Sequence, residues 1–153
     1  YAAGMTLKAE NYELFKEAFE KCVRETIHPE MRTPEIEIDA EIDFSDITPK
    51  LIRILKQFEP FGPQNMTPVF MTRNIKDTGY AKTLGAEEEH LRLFVKQNNS
   101  DGIAAIGFGL GKKLNIAQNQ NPFQLAYTIA ENEWNGTIST QLMLKDIRTN
   151  GRD

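Results

Sequence analysis

The stretch Pro60–Asn65 constrains the fold most strongly, because it separates two halves of different character. It reads Pro-Phe-Gly-Pro-Gln-Asn, in which the prolines fix φ and Gly62 can reach conformations closed to other residues. Before it, apolar residues recur at helical spacing. After it, they alternate in short runs between turn residues. Composition alone describes the stretch as a Pro/Gly linker between a helical half and a β-rich half.

Charge is divided unevenly between these halves. Residues 1–49 carry five Lys or Arg against twelve Asp or Glu, a net −7, whereas residues 50–153 carry thirteen against ten, a net +3. The overall net charge of −4 argues against nucleic acid as a partner of the whole chain. The C-terminal part alone is compatible with a groove that follows a phosphate backbone.

Length and cysteine content limit the class of protein. The 153 residues suit one domain, or one domain and a fragment. No apolar run approaches a membrane span, so no membrane partner is expected. The single cysteine, Cys22, excludes an internal disulfide and is compatible with a cytoplasmic location. Cys22 falls on the apolar face of a predicted helix, where it is expected in the core.

The N-terminal half predicts a helix, a strand and a second helix. Lys8–Thr26 has amphipathic helical spacing, and Ile36–Phe44 alternates between apolar and acidic residues. Successive acidic residues on that strand stand about 7 Å apart, which favours a solvated face over a metal site. Thr48 and Pro49 are typical of an N-cap and first helical residue.

The C-terminal half predicts a small barrel. The predicted strands are Val69–Ile75, His90–Lys96, Gly102–Gly107, Gln124–Glu133 and Thr137–Asp146, with a further piece at Tyr80–Leu84 that could continue the first. Asn135-Gly136 is a two-residue hairpin signal, and Leu110–Gln118 suits a short helix. Five strands with a helix between the third and fourth follow the OB-fold order. The predicted fold class is mainly β with flanking helices: a five-stranded OB-fold barrel preceded by a helix-strand-helix segment.

The second predicted barrel strand carries the most suggestive binding pattern. Arg92, Phe94 and Lys96 share one face, while the aliphatic residues between them share the other. A basic face with an aromatic side chain suits single-stranded nucleic acid, since bases stack on aromatics and phosphates meet Lys and Arg. A solubilising outer face remains an equal alternative. Arg73 and Lys82 flank this strand in the sequence and complete the predicted binding group.

Gly107–Lys113 offers two further lysines. The run resembles a phosphate loop in composition, but Ile106 stands where a Walker loop needs glycine and Lys113 where it needs Ser or Thr. A flexible strand end leading into a helix is the better interpretation. Lys112 and Lys113 can still meet a phosphate as point charges.

The sequence predicts no catalytic and no metal-binding residues. His28 and His90 are isolated, and neither has a second His or a Cys at metal-ligand spacing. No nucleophile and base form a recognisable arrangement.

Several motifs resemble the RecJ family of single-strand-specific DNA exonucleases. The block Pro60–Phe70 fits the pattern Pro-Phe-Gly-x-x-Asn-x-x-Pro-x-Phe of that family. Tyr1–Leu7 is similar to the end of the Gly-Gly-His-x-x-Ala-Ala-Gly motif of its DHH-associated domain, and Ile38–Ile42 resembles the strand that follows. Gln124–Gly136 and Gln141–Arg148 resemble its last two strands. The chain lacks the Gly-Gly-His part, and it has Gln64 where many relatives have Gly.

The resemblance implies three parts: residues 1–47 as the end of the DHH-associated domain, 48–67 as a connecting helix and linker, and 68–153 as the OB-fold domain. It implies a non-catalytic domain that binds single-stranded DNA within a 5′–3′ exonuclease of recombination and repair. The alternative is an interaction or scaffold domain. Implied partners are single-stranded DNA, the catalytic core of the parent chain and a single-strand-binding protein. The parent would use Mn or Mg, while this part has no cofactor.

We predict that the purified chain degrades no DNA when Mn²⁺ or Mg²⁺ is added, because its sequence offers no convergent set of carboxylates and histidines. Gel analysis of a labelled single strand measures this. Metal-stimulated degradation that follows the chain through every purification step would contradict the prediction.

Overall fold

The computed structural model describes residues 4–32 and 34–150. The chain forms two compact units, Tyr1–Glu35 and Ile36–Asp153. The resemblance at Tyr1–Leu7 lies outside the described residues at its first three positions. The assignment of residues 1–47, 48–67 and 68–153 to three parts stays a prediction.

The first unit is built around one helix. α1 (Tyr12–Thr26) follows a 3-10 turn at Ala9–Asn11, so the predicted helix is confirmed over most of its length. Its apolar side chains share one face, on which the rings of Phe15 and Phe19 stack at 5.6 Å. No side chain of α1 is buried. Cys22 is therefore exposed, and its predicted core position is wrong, because the described residues of this unit include no second long element to cover that face.

The second unit begins with a strand shorter than predicted. β1 (Ala40–Glu41) pairs parallel with β2 (Phe70–Asp77), and backbone hydrogen bonds extend this contact by one residue on each side. The predicted strand Ile36–Phe44 is thus confirmed only at its centre, because the chain turns into a 3-10 helix at Phe44–Asp46. Its acidic side chains are exposed, as predicted.

The second helix begins where the sequence predicts. α2 (Pro49–Lys56) has Pro49 at its first position, where the missing N–H costs no hydrogen bond. The Thr48 hydroxyl accepts a hydrogen bond from the backbone N–H of Leu51 at 3.3 Å, which satisfies one of the free donors of the first turn.

The block Pro60–Asn65 is a small hairpin fixed to the end of α2. Gly62 and Asn65 exchange two backbone hydrogen bonds of 2.9 Å each. The Asn65 side-chain amide donates to the carbonyls of Phe58 at 2.8 Å and Pro60 at 3.0 Å. Gln64 has φ of 69°, a left-handed conformation in which glycine has no steric cost. The chain therefore makes this turn although Gln64 replaces the glycine of many relatives.

Six strands and one short helix follow. They are β2 (Phe70–Asp77), β3 (Lys82–Leu84), β4 (His90–Gln97), β5 (Ile103–Gly107), α3 (Leu114–Gln118), β6 (Phe123–Trp134) and β7 (Thr137–Thr149). The sheet runs β2–β6–β7–β5–β4, and a further pairing between β2 and β4 closes the ring. This is the strand order of the OB fold, so the predicted fold class is confirmed. β3 is a separate strand that pairs with β4.

A two-residue turn joins the last two strands, as predicted. Asn135 and Gly136 have φ of 49° and 75°, which a turn matching the twist of its flanking strands requires. Trp134 and Thr137 form the first residue pair of the hairpin.

The barrel interior is mainly apolar, and the polar side chains described next are hydrogen-bonded within it. The hydroxyls of Thr72 and Tyr127 are 2.7 Å apart, and Thr72 donates to the carbonyl of Ile42 at 2.7 Å. Burial raises the pKa of Tyr127 to about 12, so its hydroxyl stays protonated. The Gln97 side chain accepts from the N–H of Phe44 at 2.8 Å and donates to Asp43. These bonds fasten the segment after β1 to the barrel.

We predict that amide hydrogens of α1 exchange at least tenfold faster than those of β4 and β6. An isolated helix of this length is marginal in water, and α1 buries none of its side chains. Hydrogen exchange followed by mass spectrometry measures this. Equal protection of α1 and the barrel strands would contradict a two-part organisation.

Candidate nucleic-acid interface

The two faces of β4 divide as the sequence predicts. Burial alternates along the strand, with Leu91, Leu93, Val95 and Gln97 inside the barrel and the residues between them outside. Arg92, Phe94 and Lys96 therefore lie together on the outer face. In OB folds, the second and third barrel strands form the surface that binds oligonucleotides. β4 and β5 are those two strands.

Like charges are paired across this face. Lys82 of β3 lies directly opposite Arg92, and Lys76 of β2 lies directly opposite Lys96. Like charges in opposed positions destabilise a sheet. No carboxylate in the described part of the chain forms an ion pair with any of the four. A bound anion would relieve this repulsion.

Two further cations of the predicted site, Arg73 and Lys113, are paired with carboxylates. Arg73 contacts Glu41 at 3.0 Å and donates to the Gln124 side chain at 3.1 Å. Lys113 forms an ion pair with Asp146. Burial favours the neutral form of Asp146, but hydrogen bonds from Lys113, Arg148 and a backbone N–H outweigh it and hold the pKa of Asp146 below its ordinary value.

The predicted site residues thus fall into separate places. Lys82, Arg92, Phe94 and Lys96 share one surface. Arg73 faces the β1 carboxylate Glu41, and Lys113 faces β7. Lys112 is exposed at the 3-10 turn Gly111–Lys113 that precedes α3.

Phe94 stands in a position that its neighbours fix. Its ring packs over Gly102, where an added Cβ would lie 2.2 Å from the Phe94 Cε1 atom. The ring of Tyr80 meets it edge-on, with centroids 6.4 Å apart and planes at 88°. Phe94 remains 38% exposed and Tyr80 72% exposed. The two rings present an aromatic surface that a flat base can stack on.

One carboxylate organises the loop that carries Tyr80. Asp77 accepts hydrogen bonds from the backbone N–H groups of Gly79 at 2.7 Å, Ala81 at 2.9 Å and Phe94 at 3.0 Å. The first two bonds fold the loop after β2, and the third joins that loop to β4. Asp77 therefore holds Phe94 through its own backbone and Tyr80 through the backbones of the residues on either side of it.

The aromatic pair and two neighbouring cations line an open groove of ≈ 630 Å³. Its lining includes Tyr80, Lys82, Arg92, Phe94 and Ala104. Rings lie at one end and two cations lie beside them. Aromatic surface and unpaired positive charge together suit a polyanion with stacked rings.

The sequence did not reveal Lys76, Asp77, Tyr80 and Gly102 as parts of this surface. Asp77-Thr78-Gly79 is typical of an Asx turn, a local signal from which the loop could have been predicted. The position of Tyr80 over Phe94 and the contact with Gly102 depend on strand pairings that only the folded chain defines.

The described residues offer neither a metal site nor a membrane helix. No three His, Cys, Asp or Glu side chains among residues 4–32 and 34–150 lie close enough together to hold a metal ion. No described helix is long and apolar enough to cross a membrane.

The closed five-stranded barrel with this strand order defines an OB-fold domain. A model of the RecJ OB domain matches residues 38–146 of the chain. The chain belongs to this family.

Similar proteins carry the same family name. The chain is 29% identical over 147 residues to the single-stranded-DNA-specific exonuclease RecJ of Bacillus subtilis, covering 95% of the chain and 18% of that protein. It is 26% identical over 153 residues to RecJ of Escherichia coli, covering 95% of the chain and 25% of that protein. The chain thus spans a quarter or less of these relatives.

Solved structures of RecJ share the fold. Crystal structures of RecJ from Thermus thermophilus in complex with Mg²⁺ and with Mn²⁺ match with TM-scores of 0.63 and 0.64. Sequence identity is 19% and 20%, and the matches cover 96% and 97% of this chain but 21% of each RecJ chain.

We predict that Gly102→Ala moves the Phe94 ring while leaving the fold stable. The atoms that block the new methyl group are the end of a partly exposed side chain, which can rotate away. Contacts between the Tyr80 and Phe94 rings in NOE spectra should disappear, and the thermal midpoint should fall by only a few degrees. Gly62→Ala is the matched control, because nothing lies within 4 Å of its added Cβ. Unchanged ring contacts in Gly102→Ala would refute the role of Gly102.

Proposed function

We propose that this chain is a non-catalytic, single-stranded-DNA-binding C-terminal domain of a RecJ-like exonuclease. The parent enzyme would degrade single strands from the 5′ end in cytoplasmic DNA recombination and repair. The domain would hold the strand on its way to the catalytic core of the parent chain. The parent enzyme would use Mn²⁺ or Mg²⁺, and this domain would hold no cofactor of its own.

The observation that carries this proposal is the uncompensated charge beside the aromatic pair. Four cations lie in two opposed pairs on β2, β3 and β4, and none of them has a carboxylate partner among the described residues. A merely solubilising face gains nothing from opposing like charges across a sheet. A face that binds a phosphate backbone gains affinity from them, because each neutralised phosphate releases a counterion.

Binding should be weak and sensitive to salt. The negative charge of the chain is concentrated before Lys50 and repels DNA at long range. Salt screens both the repulsion from the acidic half and the attraction between phosphates and the basic face. Because the gain from counterion release is the larger of the two, affinity should fall steeply as salt rises.

The alternative function is an interaction or scaffold domain, and one surface favours it. Ile54, Phe58 and Met66 are exposed on α2 and on the segment that follows it. Beside them a cleft of ≈ 460 Å³ between α2 and β6 is lined in part by Ile52, Leu55 and Ile129. Such a surface could pack on the catalytic core or recruit a partner such as a single-strand-binding protein.

We predict that a short oligothymidylate binds at low salt and that Phe94→Ala and Arg92→Ala both weaken binding. Loss of one base stack should cost about 1–3 kcal/mol. Loss of one phosphate contact should reduce the slope of log K against log salt by about 0.7. Fluorescence anisotropy of a labelled strand measures both.

Arg53→Ala is the control for charge, because Arg53 is an exposed cation on α2, away from β4. It should leave the affinity near that of the parent chain. If both β4 variants bind as the parent does, the face is only solvated. If the unmutated 153-residue chain binds no DNA strand at low salt, the scaffold function becomes the better proposal.

A further inference from the structure

We propose that the groove continues along β4 to a second base-stacking platform formed by Phe108 and His90. This inference rests on the proposed binding of single-stranded DNA and names a second contact for the same strand. Neither residue belongs to the predicted site or to the groove around Phe94.

The β4–β5 register places this pair on the same outer face. His90 lies two residues before Arg92, so alternation points it to the side of Arg92 and Phe94. Leu91 pairs with Gly107, which brings Phe108 beside His90. Their rings meet edge-on, with centroids 5.0 Å apart and planes at 78°.

The turn after β5 holds Phe108 outward. The Gly109 N–H donates to His90 Nδ1 at 3.3 Å, which fixes the imidazole behind the Phe108 ring. Leu110 is folded back over Gly107, where an added Cβ would lie 2.7 Å from its Cδ1 atom. The Gly111 N–H donates to the Glu89 carbonyl at 2.9 Å, which anchors the turn to the start of β4. Phe108 nevertheless remains 60% exposed. Phe108 is therefore exposed because a hydrogen-bonded turn holds it outward.

The order of side chains along β4 suits a DNA single strand that lies along it. Same-face residues follow at about 7 Å, so His90, Arg92, Phe94 and Lys96 give ring, cation, ring and cation in turn. The two platforms are separated by about 13 Å, too far for one base to touch both. Lys82 and Arg92 lie between them, where the phosphates of the intervening nucleotides would pass. The track corresponds to about four nucleotides, the lower end of OB-fold site sizes.

An acidic turn limits the track beyond His90. Glu87, Glu88 and Glu89 precede β4 and are exposed. Hydrogen bonds from the backbone N–H groups of Glu89 itself and of Glu87 hold the pKa of Glu89 below its ordinary value, so it stays negative. A phosphate backbone is repelled there, which makes Phe108 the last contact at this end of β4.

The test is anisotropy of the 153-residue chain with a labelled oligothymidylate of about eight nucleotides at low salt. Phe108→Ala should raise Kd by roughly 5- to 150-fold, the loss of one base stack. Phe108→Tyr keeps the flat ring and should bind as the parent does. Phe108→Leu keeps the apolar bulk without the ring and should bind as weakly as Phe108→Ala.

Phe58→Ala is the matched control, because Phe58 is 55% exposed and lies after α2. It should leave Kd unchanged, and circular dichroism should show that every variant is folded. If Phe94→Ala weakens binding but Phe108→Ala or Phe108→Leu does not, the second platform is refuted and single-strand binding stands. If the unmutated 153-residue chain binds no DNA strand, the proposed function itself fails.

Discussion

Closure of the barrel by the pairing of β2 with β4 is the constraint on which the rest of the structure depends. Three residue pairs make this closure: Ile75 with Gln97, Lys76 with Lys96 and Asp77 with Val95. Closure buries one face of each strand, so alternation on β4 acquires an inside and an outside. The same register brings Lys76 opposite Lys96 and sets Asp77 within reach of the Phe94 N–H. The groove is thus a by-product of the geometry that completes the core.

Among the described residues, some cations of this unit are paired with carboxylates, whereas those around the groove are not. Lys56, Arg73 and Lys113 each form an ion pair with a carboxylate. The three carboxylates belong to β6, β1 and β7 respectively. The cations around the groove meet one another instead. Ion pairs at a surface stabilise a fold by no more than about 1 kcal/mol, so leaving them unformed costs little. A small electrostatic cost in the free domain leaves a surface ready for an anion.

The sequence predicted the elements that depend on local signals. Alternation located the barrel strands, Thr48 and Pro49 located the start of α2, and Asn135-Gly136 located the last hairpin. Each of these features depends on residues close together in the sequence, so a single sequence is enough to predict it. The face of β4 was predicted for the same reason, since parity is a local property.

Features that depend on long-range contacts were not predicted. Arg73 pairs with Glu41, which is 32 residues away in the sequence, and only the parallel contact of β1 with β2 brings them together. The strand around β1 appeared longer in the sequence because alternation continues past the point where hydrogen bonding to β2 ends. Tyr80 could not be assigned to the groove without the bonds that Asp77 makes across the loop.

The packing of Phe94 on Gly102 has a consequence for how this domain can evolve. Glycine has a higher conformational cost on folding than other residues, and Gly102, just before β5, leaves the space that the large Phe94 ring on β4 occupies. A lineage that replaces Phe94 with a small residue loses the reason to keep glycine at position 102. A lineage that first gains a side chain at 102 displaces the ring. The residue types that the two positions tolerate are therefore sterically coupled.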